Sequence, residues 1–266
     1  MDLAPLSKES LTPEAGPQQA PPESIREKVT RRLIKYLTVY TAIVFTFIAA
    51  VNIIGSTDPR GRAIILMATG LVILWVLVGG LITLHYRDRI RNWIQGIHLS
   101  WPWKFVLLAT ALVMIEEAIT TGMTNLAPEF GSQIGVAYIT ASNNYLIVIC
   151  FSSVVVIVPE FVGWAWLLKR YDFTPKEVFL LYGFLGTTME AWSGGNPFDM
   201  IVGFWFFVYG LMIYLPAYSL PKDRGAVTPR WYHYILAYFV PLACALPVAG
   251  ADVVLAHLLG IHLWSG

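Results

Sequence analysis

A chain of 266 residues with 56% hydrophobic and 13% charged side chains is far from a soluble domain, in which about a quarter of residues carry charge. Its net charge of +1 gives no reason to expect a nucleic-acid partner. Both cysteines, Cys150 and Cys244, sit in apolar runs and read as small buried hydrophobes rather than a disulfide framework. The class left is an integral membrane protein, expected to be an all-α, polytopic transmembrane helical bundle.

In chain order, residues 1–24 are rich in Pro, Glu, Gln and Ser and lack an apolar core. They read as a disordered cytoplasmic tail rather than a signal peptide. Order is expected to begin at Ser24-Ile-Arg-Glu27, a capping box. From there, residues 25–266 are expected to form a single transmembrane domain.

Seven apolar segments approach or exceed the roughly 20 residues a bilayer core requires: 33–55, 62–86, 103–126, 145–168, 175–193, 198–219 and 230–250. Asp58-Pro59, Thr174-Pro175, Asn196-Pro197 and Thr228-Pro229 each put a capping side chain before a proline at a helix start, and Ser100-Trp-Pro102 resembles them. Glu177 and Asp199 fall at the third helical position and complete two further capping boxes.

Basic residues cluster before the first segment, between the second and third, after the fourth and after the sixth, whereas the opposite loops hold only Arg60 and Arg62. With seven spans the positive-inside rule then places the N-terminus in the cytoplasm and the C-terminus outside, as in a bacterial-type inner membrane. Residues 87–102 place Ile90, Trp93, Ile94, Ile97 and Trp101 at near-helical spacing among arginines, so they are expected to lie along the inner interface. A second interfacial helix is expected at 252–264, capped by Asp252 and carrying His257 and His262.

The candidate site starts from Met114–Asn125, where Glu116 and Glu117 interrupt an apolar span. Glu117, Thr121 and Thr124 follow at i, i+4 and i+7 on one helix face, with Glu116 over Thr120. Acids at membrane depth are functional-site hypotheses by default. Adjacent like charges in a low dielectric cannot both ionise cheaply, so at least one of the pair is expected to hold a proton near neutrality.

Counting about 1.5 Å per residue from the inner helix ends sets Glu116, Glu117 and Glu190 at one depth, roughly 20 Å up. A small-residue stripe, Gly183, Gly186 and Thr187, leads to Glu190. The third and fifth spans are therefore expected to pack side by side, with Glu117 and Glu190 facing a common outward-opening pocket. Asn143, Asn144, Asn196, Asp252 and His257 are its candidate lining. Glu160, beside Pro159 and on one face with Ser153, reads either as a lower step of a proton path or as a protonated acid bonded to a carbonyl released by the proline. No metal motif, P-loop or Gly-x-Ser-x-Gly elbow is present.

The Glu116-Glu117 pair resembles the first motif of the CAAX-protease-like intramembrane glutamic proteases. The resemblance stops at the pair: Thr121 stands where that family has arginine, and none of His85, His98, His233, His257 and His262 falls in its Phe-x-x-x-His or His-x-x-x-Asn patterns. Glu190–Phe198 resembles a nine-residue stretch of membrane-embedded carotenoid hydratases, too short to carry function across.

The expected function is an intramembrane enzyme acting on a lipid, prenyl or membrane-peptide substrate, with Glu116, Glu117 and Glu190 as acid and base and Thr121 as a positioning group. Two alternatives stand beside it: a proton- or cation-coupled transporter, and a non-catalytic subunit of a larger membrane complex. Membrane lipids are the expected partners, with room for a protein partner or oligomer, and no cofactor is identified.

Overall fold

The computed structural model describes residues 24–193 and 199–261. The expected N-terminal tail, Asn196 with the capping role assigned to it, and His262 lie outside these residues. Within them the fold is helical, relieved only by a two-residue parallel bridge, Tyr171 to Val227.

Helix α1 (Ile25–Ala50) starts at the Ser24–Glu27 capping box and runs through a π-helical turn, Val51–Gly55, as one 31-residue helix. Asp58 then caps α2 (Pro59–Leu71), accepting from the Arg60 and Gly61 amides at 3.0 Å each. A π-helical stretch, Val72–Gly79, joins α2 to α3 (Gly80–Gly96), so 38 residues form one helix. Residues 87–96 thus extend the second apolar helix rather than starting a separate one. The backbone turns at Ile97, and α4 (Trp101–Asn125) begins at Ser100, which makes no side-chain capping bond, contrary to expectation.

The fourth apolar segment is broken: α5 (Tyr145–Phe151) and α6 (Ser153–Arg170) meet at Ser152 with a 40° bend. Next come α7 (Pro175–Ser193), the four-residue α8 (Asp199–Val202) and α9 (Phe204–Tyr218). The sixth apolar segment is therefore not one helix. It breaks at Gly203, whose φ of 76° a side chain resists and whose Cβ would stand 2.7 Å from Thr41 Oγ1. Last, α10 (Trp231–Leu258) runs unbroken through Pro241 and Pro247. Asp252 consequently lies inside a helix and caps nothing, since the helix the sequence was expected to end near Gly250 continues two turns further.

Among the described residues four helices are long and apolar enough to cross a membrane: Ile25–Gly55, Pro59–Gly96, Trp101–Asn125 and Trp231–Leu258. The bent α5–α6 pair makes a fifth if taken as one span. The outermost is α1, with 11% of its most apolar window buried against 44% for α4. Its outer face exposes Leu33, Tyr36, Val39, Ile43, Phe47, Val51 and Ile54, a continuous apolar stripe that water would not tolerate along a soluble helix.

At the core, α4 packs against α6 and α9, α9 against α7, and α6 against α10. One end of the bundle gathers the starts of α1, α4, α7 and α10 with the ends of α3, α6 and α9. There Glu177 completes the expected capping box with Thr174, holds the Arg26 guanidinium at 2.5 Å and accepts from the Tyr234 hydroxyl at 2.7 Å. Nearby, Tyr218 donates to Asp88 at 2.6 Å and Arg224 to the Leu168 carbonyl at 3.0 Å. Asp58 and the loop between α4 and α5 belong to the opposite end.

Candidate functional site

Glu116 and Glu117 sit about two thirds of the way along α4, the most enclosed of the long helices, and are 3% and 6% exposed. Burial there sends the polar face of α4 to its own hydroxyls and to its neighbours. Thr120 and Thr140 each donate to Glu117 Oε2 at 3.1 Å, and Ser153 is a third hydroxyl partner. Thr140 belongs to the α4–α5 loop, which the Asn125 side chain also ties down through the Asn143 carbonyl at 2.9 Å. Ser153 opens α6 at the bend, so the break in the helix delivers a hydroxyl to the acid. Ser153 also shares the face of α6 that carries Glu160, two turns along, as expected.

Glu116 lies close enough to Glu117 and Glu190 for their charges to interact. Glu190, on α7, is half-buried and accepts a hydrogen bond from the Tyr209 hydroxyl of α9. Tyr209 in turn lies within electrostatic range of all three carboxyls. The structure thus brings Glu116, Glu117 and Glu190 together, but through a different arrangement of helices from the one expected. The third and fifth apolar segments do not pack side by side, because α9 lies against both.

The glycine stripe on α7 explains this placement. A Cβ on Gly183 would lie 2.5 Å from the Phe206 carbonyl oxygen, and one on Gly186 would lie 2.0 Å from Tyr209 Cγ. These glycines seat α9, and Gly186 seats the tyrosine that reaches Glu190. Tyr209 is the residue that sequence reasoning missed. Its signal was the stripe itself, which announces close approach without naming what approaches.

Thr121 is 4% exposed and its hydroxyl has no hydrogen-bond partner among the described residues. One helical turn from Glu117 on the same face, it is a donor left over within the cluster. Glu160 belongs to a separate layer. Its Oε2 accepts from the Tyr182 hydroxyl at 2.8 Å, so its partner is a phenol of α7 and not a carbonyl freed by Pro159. The Tyr182 and Tyr209 rings touch edge-on, centroids 6.2 Å apart, and so link the two carboxyl layers through packed aromatics.

The remaining candidates stand apart from this cluster. Asn144 is exposed and caps α5 through the Leu146 amide at 3.0 Å, while Asn143 is exposed and contributes its main chain. Asp252 is buried in α10, and His257 is exposed in the last turn of that helix. His257 does not join Glu117 and Glu190 around a metal: among the described residues no three His, Cys, Asp or Glu are grouped to hold one. Comparison of the chain with protein-family models, with curated proteins and with solved structures finds no match in any of the three.

Proposed function

We propose that the protein is an intramembrane enzyme that acts on a lipid-soluble substrate, a lipid, prenyl chain or membrane peptide, by carboxylate acid–base chemistry. The observation that carries this is the convergence of three carboxyls of which only Glu190 is partly exposed. In this reading the substrate approaches laterally beside Glu190. Glu190, tuned by Tyr209, exchanges a proton with it, Glu117 is the second acid–base group, and the Thr121 hydroxyl positions a polar atom of the substrate. Glu116 supplies the charge that keeps the three acids from ionising together.

Seven crossings with a cytoplasmic N-terminus are part of the same proposal. The alternation of helix ends supports it, because Arg26, Asp88, Lys104, Arg224 and Tyr234 all meet at one end of the bundle while Arg60 lies at the other.

A second reading, a proton-coupled carrier, is favoured by one observation: the Glu160–Tyr182 pair and the Tyr209–Glu190 pair meet through their rings. The two readings separate in one preparation. Protein in nanodiscs containing a total bacterial lipid extract is incubated in heavy water, and the lipids are analysed for carbon-bound deuterium. The same protein in liposomes with an internal pH dye is assayed for proton flux. The enzyme reading predicts deuterated lipid lost in Glu117→Gln and Glu190→Gln, with Glu160→Gln active. The carrier reading predicts flux that Glu160→Gln abolishes. Folded protein with neither signal would refute both and leave the acids a packing role.

A further inference from the structure

A separate cavity of about 430 Å³ opens at the basic end of the bundle, between the end of α3, the first turns of α4 and the segment after α9. Its size falls in the ~300–1,000 Å³ range of small-molecule sites. Arg91, Lys104 and Lys222 line it with a single carboxylate, Asp223, so the wall carries a net charge of +2. The cluster lies about 18 Å along α4 from Glu117, at 1.5 Å per residue from Phe105, and shares no residue with the acidic site.

Two features leave part of its cationic donor capacity unused among the described residues. The Arg91 Nε hydrogen is buried and has no acceptor among the described residues, although the guanidinium stacks on the Tyr218 ring at 5.8 Å and shares a hydrogen bond with the Tyr218 hydroxyl. A buried guanidinium donor without an acceptor costs free energy unless a ligand supplies one. Lys104 Nζ donates once, to the Gln95 carbonyl at 3.1 Å, which leaves further ammonium hydrogens for the cavity. The electrostatics of α4 add to this, since the cavity lies against its N-terminal turns, where a helix favours negative charge, and Ser100 makes no side-chain bond there.

We propose that this cavity is a binding site for a phosphate-bearing anion, held by Arg91, Lys104 and Lys222 and flanked by Trp101. The phosphate belongs either to the headgroup of an anionic phospholipid or to a soluble phosphate. A planar guanidinium and two flexible ammonium groups suit three phosphate oxygens and do not suit a neutral or cationic headgroup.

The test uses the full chain in nanodiscs of phosphatidylcholine, titrated with dihexanoylphosphatidylglycerol or with inorganic phosphate, with binding read by tryptophan fluorescence and by calorimetry. Saturable binding of the lipid alone supports the headgroup source, and binding of phosphate that competes with the lipid supports the soluble source. Under either outcome Arg91→Gln and Lys104→Gln are expected to weaken binding about tenfold each, and Arg60→Gln at the opposite end to leave it unchanged. If Arg91→Gln fails to fold, Lys104→Gln on its separate helix decides. Absence of binding by both probes, or wild-type affinity in folded Lys104→Gln, overturns the proposal.

Discussion

Replacing Gly186 by alanine probes the contact on which the upper site rests. The added Cβ would lie 2.0 Å from Tyr209 Cγ, 2.3 Å from Cδ2 and 2.5 Å from Cδ1, against an ordinary contact of 3.4 Å or more. Relief needs a shift of about 1.4 Å. Because Cγ is one bond from the tyrosine Cβ, the ring cannot swing clear and α9 itself must move. Overpacking of this kind costs about 1–3 kcal/mol, offset by the roughly 1 kcal/mol by which alanine outranks glycine in a helix. The expected net loss is up to about 2 kcal/mol, with the Tyr209–Glu190 hydrogen bond broken as well.

Gly122→Ala is the matched control, because its Cβ meets nothing within 4 Å and only the propensity gain remains. Unfolding of the two variants in detergent, followed by circular dichroism, should place Gly186→Ala below and Gly122→Ala at or above the wild type. A Gly186→Ala protein as stable as Gly122→Ala would refute the claim that this glycine seats Tyr209.

Glu177→Ala removes the acceptor shared by Arg26 and Tyr234 and should lower stability by about 2–4 kcal/mol, less than a fully buried pair because Arg26 is 32% exposed. Chemical unfolding measures this, and an effect below about 0.5 kcal/mol would show the junction to be incidental. Asp58→Ala should cost about 1 kcal/mol through loss of the α2 cap, with Asp58→Asn close to wild type; equal losses in the two would mean that charge rather than capping matters.

What the sequence made legible was local. The capping boxes at Ser24 and Thr174, the cap at Asp58 and the first three apolar runs depend on residues close in sequence, and the structure contains them. The gathering of Glu116, Glu117 and Glu190 was also readable, because depth along a helix follows from counting. What escaped was which helix stands between them. Gly183 and Gly186 specify an approach distance, and any helix with a suitable face satisfies them; α9 is selected by the whole packing of the bundle. The breaks at Ser152 and Gly203 escaped for the converse reason. Apolar content continues through both, so hydropathy has no term for a change of direction. The unbroken course of α10 shows the opposite error, in which Pro247 and Gly250 read as a stop although the helix continues to Leu258.

The peripheral position of α1 bears on how the chain is made. Three of its fastenings are distant in sequence: Arg26 to Glu177, 151 residues on, Tyr40 to the Ile201 carbonyl, and Phe45 to the Phe204 ring. At about 5–20 residues per second, a ribosome needs roughly 8–30 s to supply the first of these partners after α1 emerges. During that interval α1 has the neighbouring α2 to pack against but not the helices that hold its side chains by hydrogen bonds. Its seat beside α7 can fill only once α7 has been made, long after α1 itself.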